Sequence, residues 1–102
     1  MRRLKIDVPA EKIGTFCRRH HIRKLAFFGS VLRDDFDARS DVDVLVEFEP
    51  DHVPGLIRLA GMELELSELF GGRKVDLNTA KTLSPYFRDE VLREARLQYA
   101  AA

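Results

Sequence analysis

Three aspartates carry the strongest chemical signal in this sequence: Asp41 and Asp43, one residue apart in Ser40-Asp-Val-Asp-Val-Leu-Val46, and Asp76, in Lys74-Val-Asp-Leu77. Residues i and i+2 of a strand point to the same face with Cα atoms roughly 6.5–7 Å apart, so the Asp41 and Asp43 carboxylates can converge. On a helix the same spacing would splay them. Two unit charges about 4 Å apart repel by about 4 kcal/mol at an effective dielectric of about 20, so such a pair must protonate, splay apart or bind a cation. An oxygen-only ligand set favours Mg²⁺ or Mn²⁺ over zinc, and Mg²⁺ keeps coordination positions for water and substrate phosphates. The chemistry this implies is that of phosphates.

A second feature supports it. Gly29-Ser30 closes an aromatic-rich run, Lys24-Leu-Ala-Phe-Phe28, and the residues from Val31 to Asp34 can begin a short helix, leaving free backbone N–H groups facing outward. Glycine admits close approach of backbone to phosphate, and the Ser30 hydroxyl adds a donor. Arg33, one turn along, can reach a terminal phosphate or pair with Asp34, Asp35 or Asp37 at the surface.

The elements that must position these residues follow from hydropathy patterning. Asp7 or Val8 can open a first helix with Pro9 in its N-terminal turn, and Ala10, Ile13, Phe16 or Cys17, and His20 recur at helical spacing. Lys24–Phe28 suits a buried strand. From Asp41 to Phe48 the chain alternates, with Val42, Val44, Val46 and Phe48 on one face and Asp41, Asp43, Leu45 and Glu47 on the other. After the loop through Asp51, His52, Val53 and Pro54, a helix runs from about Gly55 to Phe70 with Leu56, Leu59, Met62, Leu66 and Leu69 as its apolar stripe, leaving Glu63, Glu65 and Glu68 mostly toward solvent. Gly71-Gly72 ends it, and residues 73–78 alternate as a third strand. Ser84 and Pro85 begin a last helix, with Phe87, Val91 and Ala95 spaced by four and Leu92 and Tyr99 by seven, and residues 100–102 form a fraying tail. The pattern predicts an α+β fold in which helices pack on a small three- or four-stranded sheet.

Composition narrows the class. The chain has 102 residues, enough for one modest core, and its 17 basic and 17 acidic side chains give no net charge to attract nucleic acid. It has no apolar run near the length of a membrane span and no signal-peptide pattern. One cysteine excludes an intramolecular disulfide, and cytoplasm is the default location. Cys17 with His20, His21 and His52 lacks the four-ligand spacing of a structural zinc site, and the Arg18–His21 patch lacks the aromatic platform of an RNA surface, which leaves it a solvated helix end. Tyr86 and Tyr99 are expected to pack in the last helix. There is no G-x-x-x-x-G-K-[ST], no G-x-G-x-x-G and no H-E-x-x-H.

Gly29-Ser30, ten intervening residues, Asp41-Val42-Asp43 and the later Asp76 together resemble the signature of the DNA polymerase β-like nucleotidyltransferase superfamily, and the short length resembles its minimal nucleotidyltransferase branch. The similarity runs from about Leu25 to Leu77, with one departure at Asp34, where many members carry glycine. The resemblance implies that residues 1–102 form one minimal nucleotidyltransferase domain that moves a nucleoside monophosphate, AMP from ATP, to a hydroxyl with release of pyrophosphate. It further implies that Asp41 and Asp43 hold two Mg²⁺ ions, that Asp76 binds the ion nearer the acceptor and helps deprotonate its hydroxyl, and that Gly29 and Ser30 cradle the phosphates with support from Arg33 and Ser40. Short proteins of this branch resemble antitoxins paired with a HEPN-domain ribonuclease toxin, silenced in some cases by AMP placed on a tyrosine. The implied partners are a nucleoside triphosphate and that protein, with no membrane and no direct nucleic-acid binding. The alternative is a module that keeps the fold but neutralises or scaffolds a partner by contact alone.

Overall fold

The computed structural model describes residues 9–32 and 40–101. The start of the chain, Arg33 and the acids Asp34, Asp35 and Asp37 lie outside the described residues.

Helix α1 (Ala10–Arg19) begins where Pro9, unable to donate, offers its carbonyl to the Ile13 N–H at 2.9 Å. Ile13, Phe16 and Cys17 share its one buried face, as their spacing requires. Strand β1 (Ile22–Phe28) starts two residues earlier than the aromatic run suggested. A short 3₁₀ helix over Gly29–Leu32 follows it and includes Val31, where the sequence places the start of a short helix; Arg33 and Asp34, the rest of that expectation, lie outside the described residues. Strand β2 (Val42–Phe48) is the alternating segment, with Asp41 just ahead of it. Helix α2 (Leu56–Leu69) leads through the left-handed Gly71-Gly72 turn (φ +74° and +88°) into β3 (Val75–Asn78). Helix α3 (Arg88–Glu94) and strand β4 (Arg96–Ala100) complete the order.

The sheet is mixed, in the order β3-β2-β1-β4, with β1 antiparallel to both neighbours and β2 parallel to β3. A parallel pair cannot be joined by a hairpin, so α2 crosses over between β2 and β3. Valines 42, 44 and 46 and Phe48 point to one face, where they meet Leu25 and Phe27 of β1, Val75 and Leu77 of β3, and Ile13, Phe16, Cys17, Met62 and Leu66 of the two helices. Met62 and Leu66 are buried and Leu59 and Leu69 pack at the margin, but Leu56 is 80 % exposed, so the stripe of α2 is one residue shorter than its hydropathy implied. The glutamates of α2 are not merely solvated. Glu65 accepts from the Arg19 guanidinium and lies 3.0 Å from His20 Nε2, pinning the end of α1, and Glu63 Oε2 accepts the Leu77 backbone N–H at 2.7 Å.

The last helix is shorter than the sequence suggested, and its expected second half is a strand. Ala95 lies between α3 and β4, and residues 96–100 pair with β1 as its outer neighbour, with Leu97 opposite Ala26 and Tyr99 opposite Leu25. Ala100 is paired too, opposite Lys24, and Ala101 donates to the Arg23 carbonyl at 2.8 Å, so these two residues do not fray, and Ala102 lies outside the described residues. The physical reason is the edge of β1. Leu25 and Phe27 are fully buried, and without β4 the backbone groups on that side would lack partners. Tyr99 packs against the core from a strand, and Tyr86 is 95 % exposed.

Two measurements test this packing. Burial pushes the Cys17 thiol up to about 12, against a slight opposing pull from Arg18, so it stays protonated and should not react with a thiol reagent at pH 8 until the protein unfolds. Because the folded value lies above the unfolded one, this group's contribution is complete below about pH 9 and declines as pH rises toward 12. Glu63→Ala leaves the Leu77 N–H without its acceptor and should cost about 1–2 kcal/mol, a fall in Tm of about 5–10 °C, while Glu63→Gln keeps an acceptor and most of the stability.

Candidate active site

The residues singled out for chemistry collect at one end of the sheet. The antiparallel register sets Phe28, the last residue of β1, opposite Asp43, and the parallel register sets Asp43 opposite Asp76. A row therefore runs across three strands, with the two aspartates on neighbouring backbones about 4.8 Å apart. Asp43 and Asp76 occupy the sheet face away from the valine core, Asp43 half-buried and Asp76 exposed. Asp41, half-buried, precedes β2 on the same alternation, and its Oδ2 lies 4.0 Å from Lys74 Nζ. The Val42 N–H donates to the Lys74 carbonyl at 2.8 Å, which continues the parallel ladder one step past Asp43 and holds Asp41 beside β3.

Gly29 stands against this row. Its φ of +72° is left-handed, and an added Cβ would overlap the Asp43 carboxylate, lying 3.2 Å from its Cγ. Both observations call for glycine: one through backbone conformation, the other through the room the carboxylate takes. The Ser30 backbone continues the 3₁₀ turn, and Ser40 sits half-buried beside Asp41. Arg33 lies outside the described residues.

The structure thus gathers Asp41, Asp43, Asp76, Gly29 and the Ser30 and Ser40 backbones at one sheet end. The donor set is oxygen only, which suits a hard divalent ion. Among the described residues, the group of three His, Cys, Asp or Glu side chains whose ligand atoms all lie within 4.8 Å is a different one, His21, Glu49 and His52. Asp41, Asp43 and Asp76 do not form such a group. One contact at the site was not readable from the sequence: Lys74 faces Asp41 only through the register of β3.

The open face beside the aspartates carries a shallow groove of about 480 Å³, lined by Ala26, Leu45, Val53, Leu92 and Leu97 among others. Leu45 lies two residues beyond Asp43 on the same face of β2, so the groove abuts the row. Val53, Leu92 and Leu97 are each about half or more exposed there. Among the described residues, no helix is long and apolar enough to cross a membrane.

Comparison with known proteins gives a consistent result. Residues 10–98 match the family model of the nucleotidyltransferase domain. A Methanocaldococcus jannaschii protein classed as a candidate protein adenylyltransferase is 32 % identical over 92 residues, covering 90 % of this chain and 96 % of its own. The protein adenylyltransferase MntA of Thermococcus cleftensis is 38 % identical over 76 residues, 74 % of each chain. Among solved structures, a candidate minimal nucleotidyltransferase superimposes with a TM-score of 0.68 at 37 % identity, covering 84 % of this chain and 85 % of that one. A toxin–antitoxin complex with AMP-PNP shares the fold, with a TM-score of 0.74 at 18 % identity over 92 % of this chain and 75 % of its counterpart.

The contact between Gly29 and Asp43 can be tested by a double-mutant cycle. Gly29→Ala should lower Tm by about 5–10 °C through left-handed strain and displacement of the carboxylate. In an Asp43→Ala background the same change should cost measurably less, whereas strictly additive melting shifts would show that the two residues do not touch.

Proposed function

Since this chain belongs to the nucleotidyltransferase domain family, we propose that it transfers AMP from ATP to a hydroxyl of a partner protein, acting as an antitoxin that silences a HEPN-domain ribonuclease toxin by modifying a tyrosine. One observation carries this reading: the parallel register that sets Asp43 against Asp76, with Gly29 held to the Asp43 carboxylate. Residues 1–102 act as one minimal domain.

Asp41, Asp43 and Asp76 would hold Mg²⁺, as two ions, and their all-oxygen donor set fits that metal. When bound, the ions neutralise triphosphate charge and stabilise charge developing on the transferred group. Asp76 lies outermost in the row and takes the acceptor proton. The acceptor oxygen then forms a bond to the α-phosphorus as the bond to the β-phosphate oxygen breaks, and pyrophosphate departs with that electron pair. Gly29 and Ser30 bring backbone close to the departing phosphates, with Ser40 and Arg33 supporting the nucleotide.

A protein acceptor suits the open face. The groove beside Asp43 is mostly apolar and exposes Val53, Leu92 and Leu97, a surface better matched to a polypeptide than to a charged small molecule. Relatives named protein adenylyltransferases, and a structural neighbour described as the MntA-HepT toxin–antitoxin, point to the same class of partner. We place the reaction in the cytoplasm, where ATP and Mg²⁺ are supplied.

The test is transfer of label from α-phosphate-labelled ATP, with Mg²⁺, onto proteins of the source cell. Wild type should label one acceptor band, and an Asp41→Asn, Asp43→Asn double variant should label none. The metal-free double variant should be no less stable than wild type, because two like charges have been removed. A wild-type protein that binds its partner tightly but transfers no label in its presence would replace this reading with contact-only neutralisation.

A further inference from the structure

At the opposite end of the sheet, His21, Glu49 and His52 form a separate cluster whose ligand atoms all lie within 4.8 Å. Glu49 directly follows β2, and from Asp43 to Glu49 the chain advances six residues, or about 20 Å at strand rise. The cluster is therefore distant from the aspartate row, while Phe48 and Val53, the chain neighbours of Glu49 and His52, line the nearer end of the groove.

Three backbone features place these side chains together. His21 holds a left-handed φ of +57°, the one non-glycine residue with positive φ among those described, and an observed outlier of this kind asks for a reason. Its carbonyl accepts the Glu49 N–H at 2.9 Å, tying the entry to β1 to the exit from β2. The Glu49 carbonyl in turn accepts the His52 N–H at 2.9 Å, closing the 3₁₀ turn Pro50–His52. The result sets His21 Nδ1 3.5 Å and His52 Nδ1 3.7 Å from the same oxygen, Glu49 Oε2.

We propose that His21, Glu49 and His52 bind a late first-row divalent ion, Zn²⁺ being the best fit. Ligand atoms about 2.0–2.1 Å from a tetrahedral zinc stand about 3.4 Å from one another, close to the two separations observed. Two imidazoles and one carboxylate select zinc, nickel or copper over the hard ions that the aspartates suit. The imidazole rings stack at 3.7 Å, so their in-plane lone pairs converge only after one ring turns, and with all three side chains about half exposed that turn leaves the core undisturbed. Three protein ligands leave a fourth position to water. Two of its ligands, His21 and His52, belong to the Cys17, His20, His21 and His52 set that lacks structural-zinc spacing in the sequence; Glu49 is the ligand that set omits, while Cys17 is buried in the core and His20 is engaged by Glu65. Its role is to clip β1 to β2, stabilising the sheet far from the aspartates.

The experiment is calorimetric titration of the untagged chain with Zn²⁺ in excess Mg²⁺, alongside thermal melts. Wild type should bind one zinc per chain at this site and gain about 10 °C in Tm at a hundredfold excess over Kd. His21→Asn, chosen because asparagine tolerates left-handed backbone, and His52→Gln, on an exposed turn, should each weaken binding by more than about tenfold, the lower bound for losing even an outer-shell partner. Asp43→Asn should leave this binding unchanged. Affinity that survives the His21→Asn, His52→Gln double variant, that disappears with Asp43→Asn, or that is absent from wild type would overturn the assignment.

Discussion

Everything at the aspartate end of this protein depends on two like-charged residues set side by side by a parallel strand pair. Asp43 and Asp76 face each other across β2 and β3. Like charges on neighbouring strands repel, and nothing in their own chemistry favours this pairing. Alternation on the other face offsets this repulsion. Val42, Val44, Val75 and Leu77 are buried only in this register, and a slip of one residue would turn the aspartates into the core and the valines out to water. The hydrophobic effect therefore fixes the juxtaposition that electrostatics resists. Helix α2 reinforces it by packing Met62 and Leu66 into the same core, while Glu63 satisfies the Leu77 N–H.

The same sheet presents different donor chemistry at its two ends. Where β1 ends and β2 and β3 begin, the ligands are carboxylate oxygens and the adjoining turn contains glycine. Where β1 begins and β2 ends, two imidazoles share one carboxylate oxygen. The donor sets differ in softness, so on the readings proposed above the carboxylates would favour Mg²⁺ and the imidazole pair a later divalent ion.

Much of this was legible in the sequence because the signals were local. The alternation of residues 41–48 fixes both a strand and the face of its aspartates, and Gly71-Gly72 fixes the end of α2. Residues 95–100 were not legible in the same way: Val91 and Ala95, or Leu92 and Tyr99, fit helical spacing, while Arg96-Leu-Gln-Tyr99 also fits alternation. The choice is made by the unpaired edge of β1, a partner about 70 residues away. The pairing of Asp43 with Asp76 had the same limit, for a pattern tells which face a residue takes but not which strand lies beside it. His21 and Glu49 are likewise joined only by the β1–β2 ladder, with Glu49-x-x-His52 the sole local hint.

The openness of the site bears on how a transferase of this size could discriminate between acceptors. Asp76 is exposed and the adjoining groove is shallow, so this chain alone does little to exclude water from the row of carboxylates. Water is itself a hydroxyl acceptor, present in vast excess. On the reading proposed above, selectivity has to come from a partner that covers the open face, displaces water from Leu45, Val53, Leu92 and Leu97, and presents its hydroxyl from the same side. The binding energy of that apolar contact would then be spent on positioning the acceptor, which is where proximity contributes most to a phosphoryl-transfer barrier. On that reading the labour divides between two proteins: the chain would supply the carboxylates and the phosphate turn, and the acceptor protein would supply the wall.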